Sequence, residues 1–224
     1  MNKRTRIKIC GLTRLDDVRA VVEVGADAVG FVFYPPSPRF VAPASVALLL
    51  RELPPFVMSV GLFVNATEAE LLAVLAKAPI QLLQFHGDET AAQCHQLASA
   101  ANRPFIRAFR VKPDTSALDL LECEKEYRAA SPLFNGLLLD TFVDSFGGSG
   151  KVFDWSLIPK ELAPRVVLSG GLSVLNATDA VSRVRPFAVD ISSGVEAAKG
   201  VKDAAKMRAF IAAVKLADTQ DGSA

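Results

Sequence analysis

The chain has few of the residues that build metal sites and disulfide frameworks. Histidine occurs only twice and cysteine three times in 224 residues, at Cys10, Cys94 and Cys123. An odd number of scattered cysteines without a CxxC pair predicts neither a disulfide framework nor a zinc site. We therefore expect no metal ion. Cys94 and Cys123 fall within helical patterns and are interpreted as structural.

An excess of one charge and long apolar runs are also missing. The chain has 25 Lys and Arg against 24 Asp and Glu, a net charge of +1, which gives no electrostatic footprint for nucleic acid or an anionic membrane. No apolar run approaches the ~20 residues that cross a bilayer, and the basic start lacks the apolar core of a signal peptide. We expect a cytoplasmic protein with no nucleic-acid partner and no membrane partner.

What the sequence does contain is a repeated alternation of apolar strands and helical stretches. Half of the residues are hydrophobic, and a chain of this length buries roughly 70% of its unfolded surface. Short runs of β-branched and aromatic residues predict eight strands. They are RIKIC (6–10), AVGFVF (28–33), VMSVGLFV (57–64), LLQF (82–85), FIRAFR (105–110), GLLLD (136–140), RVVLS (165–169) and AVDIS (188–192).

Helical periodicity fills the gaps between these strands. Two pairs have the spacing of a capping box, Thr13 with Asp16 and Thr67 with Glu70, and each predicts a helix start. Between residues 140 and 165 the helical pattern is poor, so only a short helix is expected there. Further helices are predicted over 89–100, 118–130, 174–184 and 201–216.

The strands are apolar nearly throughout, which is typical of a parallel sheet covered on both faces. Strict alternation of strand and helix indicates either an open doubly wound sheet or a closed eight-fold barrel. Eight strands in 224 residues leave about 28 residues for each unit, and this even spacing favours the barrel. The predicted fold class is α/β, a (β/α)8 TIM barrel of one domain over residues 1–217, followed by a polar tail over 218–224.

In such a barrel the active site lies at the carboxyl ends of the strands. The positions at those ends carry a thiol, an imidazole, a guanidinium and a carboxylic acid, which a packed core does not need. They are Cys10, Tyr34, Asn65, His86, Arg110, Asp140, Ser169 and Ser192.

Cys10 and Asp140 are the strongest candidates for proton transfer. A cysteine is most often a small buried core residue, but Cys10 ends the first strand and could act as a thiolate base or nucleophile. Asp140 ends an apolar strand, where a buried charge without a partner costs several kcal/mol. It is interpreted either as a helix cap or loop acid, or as a general acid. Lys8 is expected on the face of Cys10, where it would favour the thiolate.

Two small-residue loops predict a phosphate site. LSGGLS (168–173) and DISSGVE (190–196) follow the seventh and eighth strands, whose loops bind phosphate in many such barrels. The GGSGK stretch (147–151) lacks the spacing of a P-loop and is not interpreted as one. Arg39, in the proline-rich YPPSPRF loop, is either a solvated arginine or a carboxylate ligand, and His86 is a candidate for ligand positioning.

Together these motifs resemble the phosphoribosylanthranilate isomerase family of tryptophan biosynthesis. Phe85 stands where that family often has Leu, and Ser169 where Ala is common, and neither position carries the proposed acid or base. Nine motifs follow the family's order along nearly the whole chain: KICGLT (8–13), GADAVGFVF (25–33), SPR (37–39), GLFVN (61–65), QFHGDE (84–89), LLLDT (137–141), GGSGKVFDW (147–155), LSGGL (168–172) and VDISSGVE (189–196).

The resemblance implies an Amadori rearrangement that needs no metal and no organic cofactor. N-(5-phosphoribosyl)anthranilate would become 1-(2-carboxyphenylamino)-1-deoxyribulose 5-phosphate, with Asp140 as general acid and Cys10 as general base. Arg39 would bind the anthranilate carboxylate, and His86 would line the pocket. The implied phosphate ligands are the backbone amides of Gly170, Gly171, Ser192, Ser193 and Gly194, with Asp190 supporting the last loop.

Two other classes are alternatives. Another phosphosugar barrel, such as the aminoimidazole ribotide isomerase of histidine biosynthesis, would have an acid in each half, whereas the first strand here ends in Cys10. Indole-glycerol-phosphate synthase would need catalytic lysines at strand ends. A non-catalytic barrel that binds a phosphorylated ligand has no reason to carry both Cys10 and Asp140. The expected partner is a small phosphosugar substrate, and the chain is expected to be a monomer or a homodimer.

Overall fold

The structure, a computed structural model, describes residues 4–141 and 152–220. Eight parallel strands form a closed barrel, in which each strand pairs with the next and the last pairs with the first. This confirms the predicted (β/α)8 TIM barrel of one domain. The strands are β1 (Arg6–Cys10), β2 (Ala28–Val32), β3 (Met58–Phe63), β4 (Leu82–Phe85), β5 (Phe105–Val111), β6 (Phe134–Thr141), β7 (Val167–Leu168) and β8 (Ala188–Ile191).

All eight predicted strands are confirmed, although some lengths differ. β1 and β4 have the predicted ends, whereas β6 begins two residues earlier than predicted and β7 is only two residues long. β7 is short because Ala163–Arg165 forms a 3-10 turn directly before it. The apolar run RVVLS therefore overstated the length of this strand.

Seven α-helices of the described residues cover the barrel, and most match the predicted ranges. The Thr67 capping box is confirmed, since Thr67 accepts from the Glu70 N–H and the Glu70 side chain accepts from the Thr67 N–H. The helices are α1 (Leu15–Val24), α2 (Pro43–Leu49), α3 (Glu68–Leu75), α4 (Ala91–Ala101), α5 (Ala117–Ala130), α6 (Ala177–Val184) and α7 (Ala204–Gln220).

Two helix predictions need correction, and one helix was missed. The capping box at Thr13 is wrong, because its hydroxyl donates to the Gly200 carbonyl and Arg14 precedes α1 without a side-chain cap. α2 was not predicted; it is short and begins with proline, which suits the first turn of a helix. α7 begins later and ends later than predicted, since Val201–Lys202 forms a strand, β10, that pairs with β9 (Glu196–Ala198).

The segment between β6 and β7 has little helix, as predicted. Its described part, residues 152–166, contains two 3-10 turns, Trp155–Leu157 and Ala163–Arg165. The GGSGK stretch lies outside the described residues. Within the described residues, none of the helices combines the length and the apolar character needed to cross a bilayer.

The core has two parts, which follow from the alternation of side chains along each strand. The larger part lies between the strands and the helices and includes Ile9, Phe31 and Leu139. The smaller part, inside the barrel, is a cluster of Val60, Leu82, Ile106, Ala108 and Leu138. This cluster fills the barrel below the strand ends, so the site above it has an apolar floor.

Candidate active site

A cavity opens at the carboxyl ends of the barrel strands, where the sequence predicts the site. Nine of the ten predicted site residues line it: Cys10, Arg39, His86, Asp140, Gly170, Gly171, Asp190, Ser192 and Ser193. Gly194 is packed against the neighbouring loop, where a Cβ would overlap the Leu172 carbonyl oxygen. The structure therefore brings the predicted residues together.

Two of the eight strand-end residues, Asn65 and Arg110, are absent from the described lining. Asn65, with a φ of +51°, accepts a hydrogen bond from the Asp88 N–H at 2.7 Å. Arg110 donates to the Asp88 carboxylate at 2.5 Å. Both side chains contact Asp88 in the loop after β4, and neither is among the described residues that line the cavity.

Cys10 lies beside an ammonium group in the barrel wall. It pairs in register with Gly30 of β2, and a Cβ on Gly30 would lie 2.7 Å from Cys10 Sγ and 3.0 Å from Lys8 Nζ. The glycine therefore provides the space in which thiol and ammonium lie together. Burial raises the pKa of the Cys10 thiol, while the charge and hydrogen bond of Lys8 oppose that rise.

The charge of Lys8 is balanced inside the barrel by Asp190. Lys8 Nζ donates to Asp190 Oδ1 at 2.8 Å, and the two residues are register partners on β1 and β8. Burial alone would lower the pKa of Lys8, but the Asp190 carboxylate and the Cys10 thiol raise it above its usual value. The described contact of the Asp190 carboxylate is thus with Lys8 in the barrel, and not with the loop that it was expected to support.

Asp140 is connected to two side chains of β4 and its following loop. Asp140 Oδ2 lies 3.1 Å from His86 Nε2, and His86 Nδ1 lies 2.9 Å from Gln84 Nε2. Gln84 and His86 reach the same cavity because residues two apart share a strand face. Gln84 is fully buried, whereas the Asp140 side chain is 26% exposed. Sequence reasoning missed Gln84, although a lone polar residue in LLQF was a signal.

The loop after β7 passes very close to Asp140. Gly170 and Gly171 have φ values of +81° and +70°, a region that glycine adopts without strain. A Cβ on Gly170 would overlap the Thr141 N–H and would lie 2.8 Å from Asp140 Oδ1. The N–H groups of both glycines donate to no backbone carbonyl among the described residues. Backbone N–H groups in a glycine loop of this kind can bind an anion.

Arg39 is held against the cavity wall by Glu196. Arg39 Nε and Nη2 donate to the two oxygens of Glu196 at 2.7 and 2.8 Å, and the pair is almost completely buried. The Glu196 hydrogen bond raises the pKa of Arg39. This two-point contact fixes the guanidinium plane and leaves Nη1 outside the pair, so Arg39 is not the solvated loop arginine that the sequence left open.

Lys202 joins this pair to the loop after β8. Its ammonium donates to Glu196 Oε1 at 2.9 Å, to the Ser192 carbonyl at 3.0 Å and to Ser192 Oγ at 3.3 Å. Ser192 Oγ in turn donates to the Cys10 carbonyl at 3.0 Å. Burial would raise the pKa of Glu196, but Arg39 and Lys202 hold it below its usual value. In the sequence analysis Glu196 was noted only as the last residue of the VDISSGVE motif. No local sequence pattern indicated that Lys202 belongs to the site.

The donor set of the cavity suits proton transfer and anion binding. Among residues 4–141 and 152–220, no group of three or more His, Cys, Asp or Glu side chains is arranged to hold a metal ion. The cavity combines a thiol, a carboxyl group, an imidazole and a fixed guanidinium with glycine N–H groups. Fold and site together define a (β/α)8-barrel enzyme of acid–base chemistry on a small anionic ligand.

Comparison with known proteins gives the family. The chain matches the family model of N-(5'-phosphoribosyl)anthranilate (PRA) isomerase over residues 7–213. The N-(5'-phosphoribosyl)anthranilate isomerase of Herminiimonas arsenicoxydans is 68% identical over 218 residues, which cover 97% of this chain and 96% of that protein. The chain therefore belongs to the phosphoribosylanthranilate isomerase family, whose members act in tryptophan biosynthesis.

Solved structures agree with this assignment. The crystal structure of phosphoribosyl anthranilate isomerase from Thermotoga maritima is 43% identical, with a TM-score of 0.82 over 94% of this chain and 98% of that chain. A crystal structure of the isomerase in complex with reduced 1-(o-carboxyphenylamino)-1-deoxyribulose 5-phosphate is 41% identical, with a TM-score of 0.79 and the same coverage.

Proposed function

We propose that this cavity catalyses the Amadori rearrangement of N-(5-phosphoribosyl)anthranilate, with Asp140 as general acid and Cys10 as general base. The observation that carries the proposal is that both groups line one cavity beside the glycine loop after β7. The phosphorylated ribulose derivative bound in the related crystal structure supports a phosphosugar as the ligand class.

The reaction needs one acid and one base, each acting at a different atom. Asp140 gives its proton to the furanose oxygen, the C1–O bond breaks, and the nitrogen lone pair forms the Schiff base. Cys10 then removes the proton from C2, and the resulting enolamine relaxes to the ketone. Proton transfers of this kind contribute roughly 10²–10⁴-fold each when the groups are positioned.

The remaining residues bind the two charged ends of the substrate. Arg39, whose plane is fixed by Glu196, is proposed to receive the anthranilate carboxylate through Nη1. The N–H groups of Gly170 and Gly171, and those of residues 192–194, are proposed to hold the phosphate. His86 lines the cavity and contacts Asp140, the proposed acid.

The test is turnover of freshly generated N-(5-phosphoribosyl)anthranilate, followed by the loss of its fluorescence. We expect Cys10→Ser and Asp140→Asn each to lower kcat by at least ~100-fold while binding a phosphorylated product analogue. Cys94→Ala and Asp179→Asn serve as matched controls, because Cys94 is buried in α4 and Asp179 pairs with Arg183 on the surface of α6.

The outcomes separate the candidate functions. If wild-type protein binds the analogue without isomerising the substrate, the chain is a binding barrel and the proposed function is wrong. If it isomerises a different phosphosugar only, the chain is another phosphosugar isomerase. If the control variants lose as much activity as the site variants, the assignment of acid and base is wrong.

Two further expectations belong to this proposal. We propose a cytoplasmic location, supported by membership in a family of biosynthetic enzymes, and fractionation of cells with an antibody checks it. The assembly stays a prediction of monomer or homodimer, which sedimentation equilibrium of the whole chain decides.

A further inference from the structure

The buried Gln84 amide determines which nitrogen of His86 carries the proton. An amide nitrogen can only donate, so the 2.9 Å contact from Gln84 Nε2 requires His86 Nδ1 to accept. The proton of the neutral imidazole then lies on Nε2. His86 therefore donates to Asp140 Oδ2 across the 3.1 Å contact.

The opposite orientation of the amide is less favourable. Gln84 Oε1 is buried and has no hydrogen-bond partner among the described residues. A reversed amide would put its NH₂ group at that position and leave two buried N–H donors unpaired. Unpaired buried N–H groups are rarer in proteins than carbonyl oxygens with unused acceptor capacity. The contact from Nε2 to the ring is thus the arrangement that costs less.

The tautomer of His86 determines which oxygen of Asp140 can carry an acidic proton. The carbonyl oxygen of a neutral carboxyl group is a better hydrogen-bond acceptor than its hydroxyl oxygen. The contact from the Nε2–H of His86 to Oδ2 therefore favours Oδ2 as the carbonyl oxygen and Oδ1 as the oxygen that carries the proton. Oδ1 is the oxygen on the side of the β7 loop, since a Cβ on Gly170 would lie 2.8 Å from it.

We propose that Gln84 is a positioning residue, which through His86 places the transferable proton of Asp140 on Oδ1, next to the Gly170 loop. This inference rests on the proposed function, in which Asp140 is the acid and Gly170 and Gly171 bind the phosphate. In a 5-phosphoribosyl ring the ring oxygen is bonded to C4, which carries the phosphorylated C5. A phosphate on this loop therefore brings the ring oxygen to the Oδ1 side.

The proton balance of the step is simple. The Oδ1 proton moves to the ring oxygen as the C1–O bond breaks, and Asp140 becomes a carboxylate. The Nε2–H of His86 remains in place and stabilises that carboxylate through Oδ2. His86 neither gains nor loses a proton, so its role differs from that of a general base.

The experiment measures the tautomer directly by ¹⁵N NMR of histidine-labelled protein. The chain has only two histidines, and His95, whose Nδ1 contacts Ser131 Oγ at 3.0 Å, is an internal reference. We expect His86 of the wild-type protein to carry its proton on Nε2 and not on Nδ1. A wild-type His86 protonated on Nδ1 overturns the proposal.

Two substitutions connect the tautomer to turnover. Gln84→Glu replaces the donor by a carboxylate that accepts from Nδ1–H, so we expect Nδ1 to become protonated and kcat to fall at least tenfold, with KM within about threefold. Gln84→Met keeps the volume without hydrogen bonds, and we expect a mixture of tautomers with an intermediate kcat. Gln81→Glu, at the exposed position directly before β4, is the matched control and changes neither quantity.

The results separate this proposal from the proposed function. If Gln84→Glu moves the proton to Nδ1 but kcat is unchanged, the positioning role is wrong even if Asp140 is the acid. If Asp140→Asn retains full activity, the acid assignment is wrong, and the NMR result on the wild-type tautomer still stands. An equal loss of kcat in Gln84→Met and Gln84→Glu, with no change of tautomer, also overturns the proposal.

Discussion

Two layers of side chains inside the barrel come from the same strands but differ in chemistry. Leu82 and Leu138 belong to the lower, apolar cluster, and Gln84 and Asp140, two residues further along β4 and β6, line the cavity. A step of two residues keeps the same face and rises about 6.6 Å along a strand. A rise of two residues along the strand therefore separates the packing that stabilises the barrel from the groups that line the cavity.

Lys8 is an exception to this division, because it is a charged residue that contacts both layers. Its substitution is expected to have the largest effect on the free energy of unfolding. Lys8 pairs in register with Ala28, which packs on the lower cluster, so its charge is enclosed by both layers. Lys8→Met would leave Asp190 as a buried, unpaired carboxylate and lower the free energy of unfolding by about 3–5 kcal/mol. Urea denaturation at pH 7 measures this loss of stability. The double variant Lys8→Met/Asp190→Leu should recover most of the loss, and a single-variant loss below ~1 kcal/mol contradicts the account.

A truncation in the lower layer tests whether stability and chemistry are separate. Leu138 is fully buried, so Leu138→Ala should lower the free energy of unfolding by about 2–5 kcal/mol. Its kcat/KM, measured at a temperature where the protein remains folded, should stay within about threefold of wild type. Asp140→Asn, two residues away, is the converse control. A Leu138→Ala protein that is stable but inactive would remove the distinction between the layers.

Removing the contact that holds Arg39 tests the cavity residues without changing the apolar cluster below them. Glu196→Gln removes the charge that holds the guanidinium, and we expect KM to rise roughly tenfold, which corresponds to about 1.4 kcal/mol, with kcat little changed. Steady-state kinetics at saturating and low substrate separate the two constants. Glu23→Gln breaks an exposed pair with Arg208 and should have no effect. An unchanged KM in Glu196→Gln would mean that Arg39 needs no such support.

The smallest expected effect is a displacement of the pH profile. Cys10 must lose its proton to act as a base, and burial raises the pKa of its thiol. Activity should therefore increase with pH through a value above the ~8.5 of an ordinary cysteine. In the Cys94→Ala/Cys123→Ala background, Cys10 is the only thiol, and its alkylation rate reports the same ionisation. Adding Lys8→Met should move the alkylation curve to higher pH; an unchanged curve excludes Lys8 as the group that favours the thiolate.

Local pattern was enough to predict the strands, because burial of both faces gives an apolar run that polar residues or glycine interrupt. RIKIC and LLQF have the observed ends. Helix starts were harder, since Thr13 has the spacing of a cap but finds the Gly200 carbonyl, which is 187 residues away. Glu89 was placed at the start of a helix, yet it is buried and accepts from the backbone N–H groups of Asn65 and Gly87.

Prediction of the site had the same limit, because contacts between residues distant in the chain were missed. Glycine loops and strand-end residues are visible in the sequence, and nine of the ten predicted residues line the cavity. The partners that orient them were not visible, because Arg39 and Glu196 are 157 residues apart and Lys8 and Asp190 are 182 apart. Such pairs depend on the closed barrel, in which neighbours in space are distant in the chain.

The pairing of β1 with β8 has a consequence for synthesis on the ribosome. Lys8 leaves the exit tunnel long before Asp190, and Thr5 long before Asp218, which accepts from both its N–H and its hydroxyl. Until the last strand arrives, the Lys8 ammonium lacks its Asp190 partner, so an incomplete chain cannot bury it without a large penalty. This single ion pair thereby discourages premature closure around seven strands and favours the full-length chain as the species that becomes compact.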